Sequence, residues 1–384
     1  MDLPGELLIL GRPLSELQDA LLVAAGFERV EQVPAEPYLV FTDRCWFTRA
    51  FLENVRAVAR KGGRGRVRLT DSLFVKNNAA LLTDAEHPEV AVLEAGQSPQ
   101  LEGPDLLITL GVKEYPAMNL HPSMQHASQG PIAAGAAMVH GIEHWTHLLR
   151  VNLLAMLARG EEYRLEFEQS PFYKKIWSVL SLLWRARGIS GEKIAFGLSR
   201  MGPKCKIHRT AVVEACELGE GVEVGPFAVL RGSVIGRGTR IEPYAQVNLS
   251  YIGENARVGA WGMVNLSVLL PGAFVSRGDG FQMSLFGKDC FIAVGATILD
   301  LSFGKTIRVN KDGARIDTGS YFLGACVGHR AKIGNGARIS YGQAIPNDAF
   351  LVGSGEDLLR SWPVGVVGPA RVVNGVATVV GGQG

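Results

Sequence analysis

Cysteine is scarce and scattered in this chain. The five residues, Cys45, Cys205, Cys216, Cys290 and Cys326, are odd in number and never form C-x-x-C, which excludes a disulfide framework and the common zinc modules. Neither sign of charge is in surplus. The 39 Lys and Arg against 37 Asp and Glu leave a formal +2, too little to draw the chain to nucleic acid. No run of 18 apolar residues occurs, and MDLPGELLILGRPL lacks the basic segment and apolar core of a secretory signal. The reading is a cytoplasmic protein without a spanning helix. G-x-S-x-G, H-E-x-x-H and the phosphate-loop pattern are missing as well. Charged residues are 20% of the chain against 47% hydrophobic, which excludes general disorder. Glycine, by contrast, abounds: 47 residues in 384, well above the roughly 7% that is usual.

The glycines belong to a repeat. From Ile207 the apolar positions run Val213, Leu218, Val224, Leu230, Ile235, Ile241, Val247, Ile252, Val258, Val264, Leu269, Val275, Phe281, Phe286, Ile292, Ile298, Phe303 and Val309. The steps of six, five and six residues sum to a period of 17 divided into three short sides. Small residues stand two places before most of these positions, among them Ala211, Cys216, Ala228, Ser233, Ala245, Ser250, Ser267, Ala273, Ser284 and Ala296, as a narrow triangular core requires. Glycine often follows the apolar residue, where a corner needs backbone freedom. This is the hexapeptide pattern of a parallel β-helix, here of about seven to eight rungs. After Val309, Asp312-Gly313 between IRV and ARI predicts a hairpin that projects from the coil. The coil resumes at Val327, Ile333, Ile339 and Ile345.

That spacing and those residue types resemble the hexapeptide-repeat transferase superfamily. The resemblance implies a left-handed parallel β-helix and a homotrimer. Ahead of it, the apolar runs at 7–10, 38–41, 90–93 and 106–110 are of strand length, and 14–25 and 46–60 have helical spacing, so an α/β N-terminal domain is expected. GRPLSELQDALLVAAGFERV resembles the segment that follows the phosphate loop of sugar-1-phosphate nucleotidyltransferases, and LVFTDR is similar to their metal-carrying strand end. The G-x-G-T-R loop of those enzymes does not occur here, and Asp43 alone cannot hold Mg²⁺, so no metal site and loss of nucleotidyl transfer are expected. Asp43 reads instead as a surface or capping residue.

EHWTHLLRVNLLAML resembles the joint between the domains of archaeal-type bifunctional sugar nucleotidyltransferase/acetyltransferases, with Trp145 and Asn152 at the recurring places. The segment 171–188, PFYKKIWSVLSLLWRARG, puts Trp177, Leu180, Leu183 and Trp184 near one helix face with Lys174, Lys175, Arg185 and Arg187 nearby. It either lies in a membrane interface or, the preferred reading, packs over the coil end or between protomers.

In hexapeptide acyltransferases a coil histidine commonly takes a proton from the acceptor amine or hydroxyl that attacks an acyl-CoA thioester, a task that suits imidazole. Only His208 and His329 fall in the coil, which also excludes a three-histidine metal site. His329 is the candidate base, against a plain corner residue. The segment 307–347, which contains it, resembles the archaeal-type acetyltransferase domains in its hairpin, in Asp317-Thr318-Gly319, in Leu323-Gly324-Ala325 and in Lys332-Ile333-Gly334. It departs from them at Tyr321 and Phe322, where those proteins carry basic residues, and at Asn335, one place early. Tyr321, Lys332 and Asn335 are candidate substrate contacts. So are Asn248, Asn265 and Gln282, which repeat at one place on three rungs and either meet a sugar or bond to one another and to corner carbonyls.

Four segments result: 1–140, a degenerate nucleotidyltransferase-like domain; 141–202, a helical connector; 203–360, the β-helix; and 361–384, a tail whose Asn374-Gly375 predicts a hairpin lying over the coil or a neighbouring protomer. The resemblance implies an acyltransferase acting on a sugar or nucleotide-sugar, with acetyl-CoA or another acyl-CoA as cosubstrate. A noncatalytic β-helix scaffold or ligand sensor is the alternative.

Overall fold

The computed structural model describes residues 3–78, 84–115, 132–186, 194, 196–352, 370–373 and 376–379. The N-terminal part is α/β. Its sheet has the order Tyr38–Phe41, Val90–Leu93, Gly65–Leu69, Asp105–Ile108, antiparallel except for the last, parallel pair. Helix α1, Leu14–Ala24, ends before Gly26, whose positive φ closes it as the sequence suggests. The helical spacing read from residue 46 begins later. Cys45–Phe47 is a buried strand paired with Val139–Gly141, and α2, Arg49–Arg60, starts behind Thr48, whose hydroxyl caps Phe51 N–H. The strand Gly65–Leu69 was hidden by Arg66 and Arg68, which alternate outward and pair with Asp84, Glu86 and Asp105. A short helix α3, Ser72–Asn78, follows it.

Residues 7–10 are not a strand of this sheet. Leu8–Ile9 turns back on Arg12–Pro13 through Leu10 and Gly11, both at positive φ. Fully buried Asn152 holds this turn, accepting Leu10 N–H at 2.8 Å and donating to the Leu8 and Leu148 carbonyls. Asn152 lies in the connector helix α4, Trp145–Gln169. A second connector helix, α5, Phe172–Ala186, follows.

Beyond them stands a parallel β-solenoid of about nine turns. Its first face stacks eight strands from Arg200–Met201 to Ala344–Ile345, its second eight from Lys206–Ile207 to Phe350–Leu351. The third face has five strands from Val212–Glu214 to Gly280–Gln282, then the pair Thr297–Ile298 and Arg338–Ile339. The predicted apolar positions from Val213 to Ile298 are all buried along its axis. Strand Arg200–Met201 adds one side ahead of the predicted start, which lengthens the coil.

At the corner between the third and first faces, Ser233, Ser250, Ser267 and Ser284 form a buried ladder. Each hydroxyl donates to the carbonyl two residues back and accepts the N–H of the next rung.

The period stops at Ile298. Phe286 stacks on Val327, 41 residues on rather than 17, because residues 300–323 leave the coil. Phe303 is therefore 74% exposed, and Val309, although buried, belongs to the predicted hairpin, Arg308–Lys311 with Ala314–Asp317. Its turn residues Asp312 and Gly313 are both at positive φ, as an Asp-Gly hairpin requires. The hairpin docks on the N-terminal part. Ile307 and Val309 pack into that core, His144 Nε2–H donates to Asn310 O, and Lys311 pairs with Glu143.

The outward row of the first face, Val234, Tyr251, Val268 and Leu285, joins the same core, so this face of the coil is covered within the chain. Ala370–Val373 and Val376–Val379 pair antiparallel as the tail hairpin, with Asn374 and Gly375 outside the described residues.

Candidate functional site

His329 sits half-buried at the corner between the first and second faces, just after Gly328. The rungs close tightly here. A Cβ on Gly287 would lie 2.5 Å from Gly328 C and His329 N, so the corner admits glycine alone. The His329 ring reaches back one rung, and its Nδ1 accepts Lys288 N–H at 2.8 Å. Its backbone is held from the other side, donating to Asn347 Oδ1 and accepting Asp348 N–H, both at 2.8 Å. Arg330 grips the Asp348 carboxylate by bonds of 2.6 and 2.7 Å and holds that acid below the usual carboxylate range. With Nδ1 occupied as an acceptor, the neutral imidazole carries its proton on Nε2.

The second face next to His329 changes character along the coil. Its outward row reads Lys206, Glu223, Arg240, Arg257, Phe274, Phe291, Lys332 and Phe350 in register. The first four are ion-paired, Lys206 and Arg240 to Glu223 and Arg257 to Glu242. Phe291 and Phe350 are then exposed, and Phe274 lies 5.2 Å from Phe291 between ring centres.

The remaining predicted contacts lie elsewhere on the triangle. Asn248, Asn265 and Gln282 are in register at the end of the third face, continuing a row that begins with the Glu214–Arg231 ion pair. Asn248 Oδ1 is buried without a hydrogen-bond partner. Asn335 is exposed at the corner between the second and third faces, and Tyr321 lies in the 300–323 excursion, its carbonyl accepting Ser302 N–H. Within one chain the structure thus joins Lys332 to the His329 rung and unites the three amides, but it keeps these two groups on different edges.

Other groups were missed by looking only at the coil histidines. His140, His144 and His147 are all buried where α4 begins, with the rings of His140 and His147 5.2 Å apart. Burial lowers the His144 pKa below its usual 6.5. At the corner between the second and third faces, Phe227, Tyr244 and Trp261 stack with centroid spacings of 5.0 and 4.1 Å, a ladder readable from their 17-residue interval. A groove of about 700 Å³ separates α4 and α5 from the first coil rungs. In it Glu217 receives Arg159 and Tyr163, and Arg200 lies over the Tyr163 ring.

Asp43 is exposed at a turn. Among the described residues no group of three His, Cys, Asp or Glu side chains has a metal-holding arrangement. No family model matches the chain, and no curated protein matches it.

Proposed function

We propose that the coil is left-handed, assembles as a homotrimer, and serves an acyltransferase that moves an acyl group from acyl-CoA to a sugar or nucleotide-sugar. Nucleotidyl transfer is lost in this reading. The carrying observation is the second-face row, where paired ions give way to exposed Phe291 and Phe350 around Lys332, on the rung that holds His329. The pantetheine arm of an acyl-CoA has methylene and gem-dimethyl segments between its amides and leads to phosphates, so rings beside a lysine complement it. The separation of the amide ladder from His329 supports a site shared between protomers, where different edges of neighbouring coils meet. Free cysteines, several of them buried, suit a reducing, cytoplasmic setting.

In the reaction the acceptor nitrogen or oxygen attacks the thioester carbonyl, the C–S bond breaks, and the acceptor proton ends on the thiol. His329 can take that proton only after its ring releases Lys288 N–H, because the Nε2–H tautomer has no lone pair at Nε2. This bond favours a second reading, in which the coil is a noncatalytic scaffold or ligand sensor and His329 is a corner latch.

Calorimetry with acetyl-CoA on the purified protein and on His329→Ala separates the two. Binding by both, with acceptor acylation lost only in the variant, supports the transferase and its base. Silence from both at millimolar ligand removes acetyl-CoA as cosubstrate and favours the scaffold.

A further inference from the structure

Helix α5 faces the wrong way for a helix that completes a core. Phe172, Tyr173, Ile176, Trp177 and Leu180 share one side by their spacing, and they are 79, 60, 43, 71 and 51% exposed. Ser178, Val179, Ser181 and Leu182 lie on the side that lines the groove toward the coil. The helix therefore turns Phe172, Tyr173, Trp177 and Leu180 to the outside, away from that groove. Arg187, and the side chains of Leu183, Trp184 and Arg185, lie outside the described residues. Of the face expected to pack over the coil end or between protomers, the described side chains of Trp177 and Leu180 are exposed.

The charge of the helix indicates what covers it. Residues 171–188 contain Lys174, Lys175, Arg185 and Arg187 and no acid. Lys174 and Lys175 stand in the first turns, where the helix dipole disfavours cations, so local helix stability does not account for them. At the adjoining end of α4, Glu161 and Glu168 are held by Arg164, and Glu166 lines the groove side, so the basic character belongs to α5 itself. A second copy of the same helix would bring lysines against lysines across a two-fold contact. With 15 residues, α5 is roughly 22 Å long, too short to span a bilayer. No helix among the described residues is long and apolar enough to cross one.

We propose that α5 lies flat in the headgroup region of an anionic membrane, with Phe172, Ile176, Trp177 and Leu180 in the acyl boundary and Lys174 and Lys175 against lipid phosphates. The rings and lysines together make an interfacial anchor, and the first coil rungs would then project from the bilayer surface.

The test is sedimentation of the full chain with phosphatidylcholine vesicles, with and without a third of phosphatidylglycerol, alongside light scattering to fix the assembly mass. The full chain is expected to pellet with the anionic vesicles and to remain in the supernatant with the neutral ones. Each lysine near such a surface is worth a factor of about five in partition, so Lys174→Glu with Lys175→Glu should lower binding at least about tenfold. Trp177→Ser with Leu180→Ser should abolish it. Lys174, Trp177 and Leu180 are exposed and Lys175 is partly so, and both changes should leave the mass unchanged. Failure of the unaltered chain to pellet with either vesicle overturns the proposal. So does a fall in assembly mass on Trp177→Ser with Leu180→Ser, which would make α5 a protomer contact.

Discussion

His329 and Lys288 stand 41 residues apart in sequence and are tied by one hydrogen bond, the backbone N–H of Lys288 donating to the imidazole Nδ1 at 2.8 Å. The bond spans the two rungs between which residues 300–323 leave the coil. A side chain thus secures the stack at the point where the chain goes away and returns. Removing it with His329→Ala leaves a half-buried N–H unpaired, at a cost of about 1–2 kcal/mol. In His329→Asn the carboxamide oxygen can take the place of Nδ1, so stability should return while any proton-accepting role does not. Urea midpoints in the order native, Asn, Ala are expected; an Ala variant as stable as the native chain would show that the bond contributes nothing.

Asp279 occupies an inward corner position that Ala211, Ala228, Ala245 and Ala296 fill on other rungs. It is 8% exposed, its Oδ1 accepts Gly295 N–H, and its Oδ2 has no partner. Burial raises its pKa above 3.8, and the Gly295 bond offsets part of this. Above 3.8 the native state therefore holds more protons than the unfolded chain, and stability falls as pH rises through the folded pKa. Asp279→Asn keeps the acceptor and removes the charge. It should be the more stable protein at pH 7, and its advantage should fade as pH is lowered toward 3.8; scanning calorimetry at a series of pH values reads both.

The serine ladder makes each rung depend on the last. Ser250→Ala removes the acceptor of Ser267 N–H and the donor to Asn248 O, at an expected cost of about 1–3 kcal/mol. Ser250→Cys should cost less. Cys216 already stands in line with these serines, its thiol donating to Glu214 O at 3.2 Å and accepting Ser233 N–H at 3.5 Å. Equal melting temperatures for the Ala and Cys variants would show that the hydroxyl bonds add little beyond packing.

The coil was legible because its core is one-dimensional: every sixth or fifth side chain must be apolar, and from Val213 to Ile298 each one is buried. The reading overran to Phe303 and Val309 because an excursion can carry apolar residues at the same interval by chance, and spacing alone does not say whether a rung lies beneath them. In the N-terminal part, Gly65–Leu69 escaped notice because its outward arginines masked the strand alternation of Gly65, Val67 and Leu69. One available signal went unused. The outward row of the first face is apolar where that of the second is charged, which marks the covered face. The candidate site was legible only as residues. A period says which rung His329 and Asn265 occupy, but their separation depends on which corner each one turns, and the tautomer of His329 depends on a backbone N–H far away in sequence.

The joint between the two parts should weaken in acid through His144. Its Nε2–H donates to Asn310 O in the docked hairpin, and its Nδ1 accepts Thr146 N–H at the start of α4, so the neutral ring is the one that fits. Burial is the largest influence and lowers its pKa from 6.5; Lys311 acts in the same direction, while the Asn310 bond and Asp312 oppose them. Below 6.5 the unfolded chain takes up the proton first, so the stability this group contributes is whole above 6.5 and is lost as pH falls through the folded pKa. His144→Gln can still donate to Asn310 O but does not titrate. Its stability should vary less with pH below 6.5 than that of the native chain. Hydrogen exchange of residues 308–317 should follow the same pattern, with protection lost on acidification only where His144 is present. Identical pH profiles for the two proteins would show that His144 does not set the acid sensitivity of the joint.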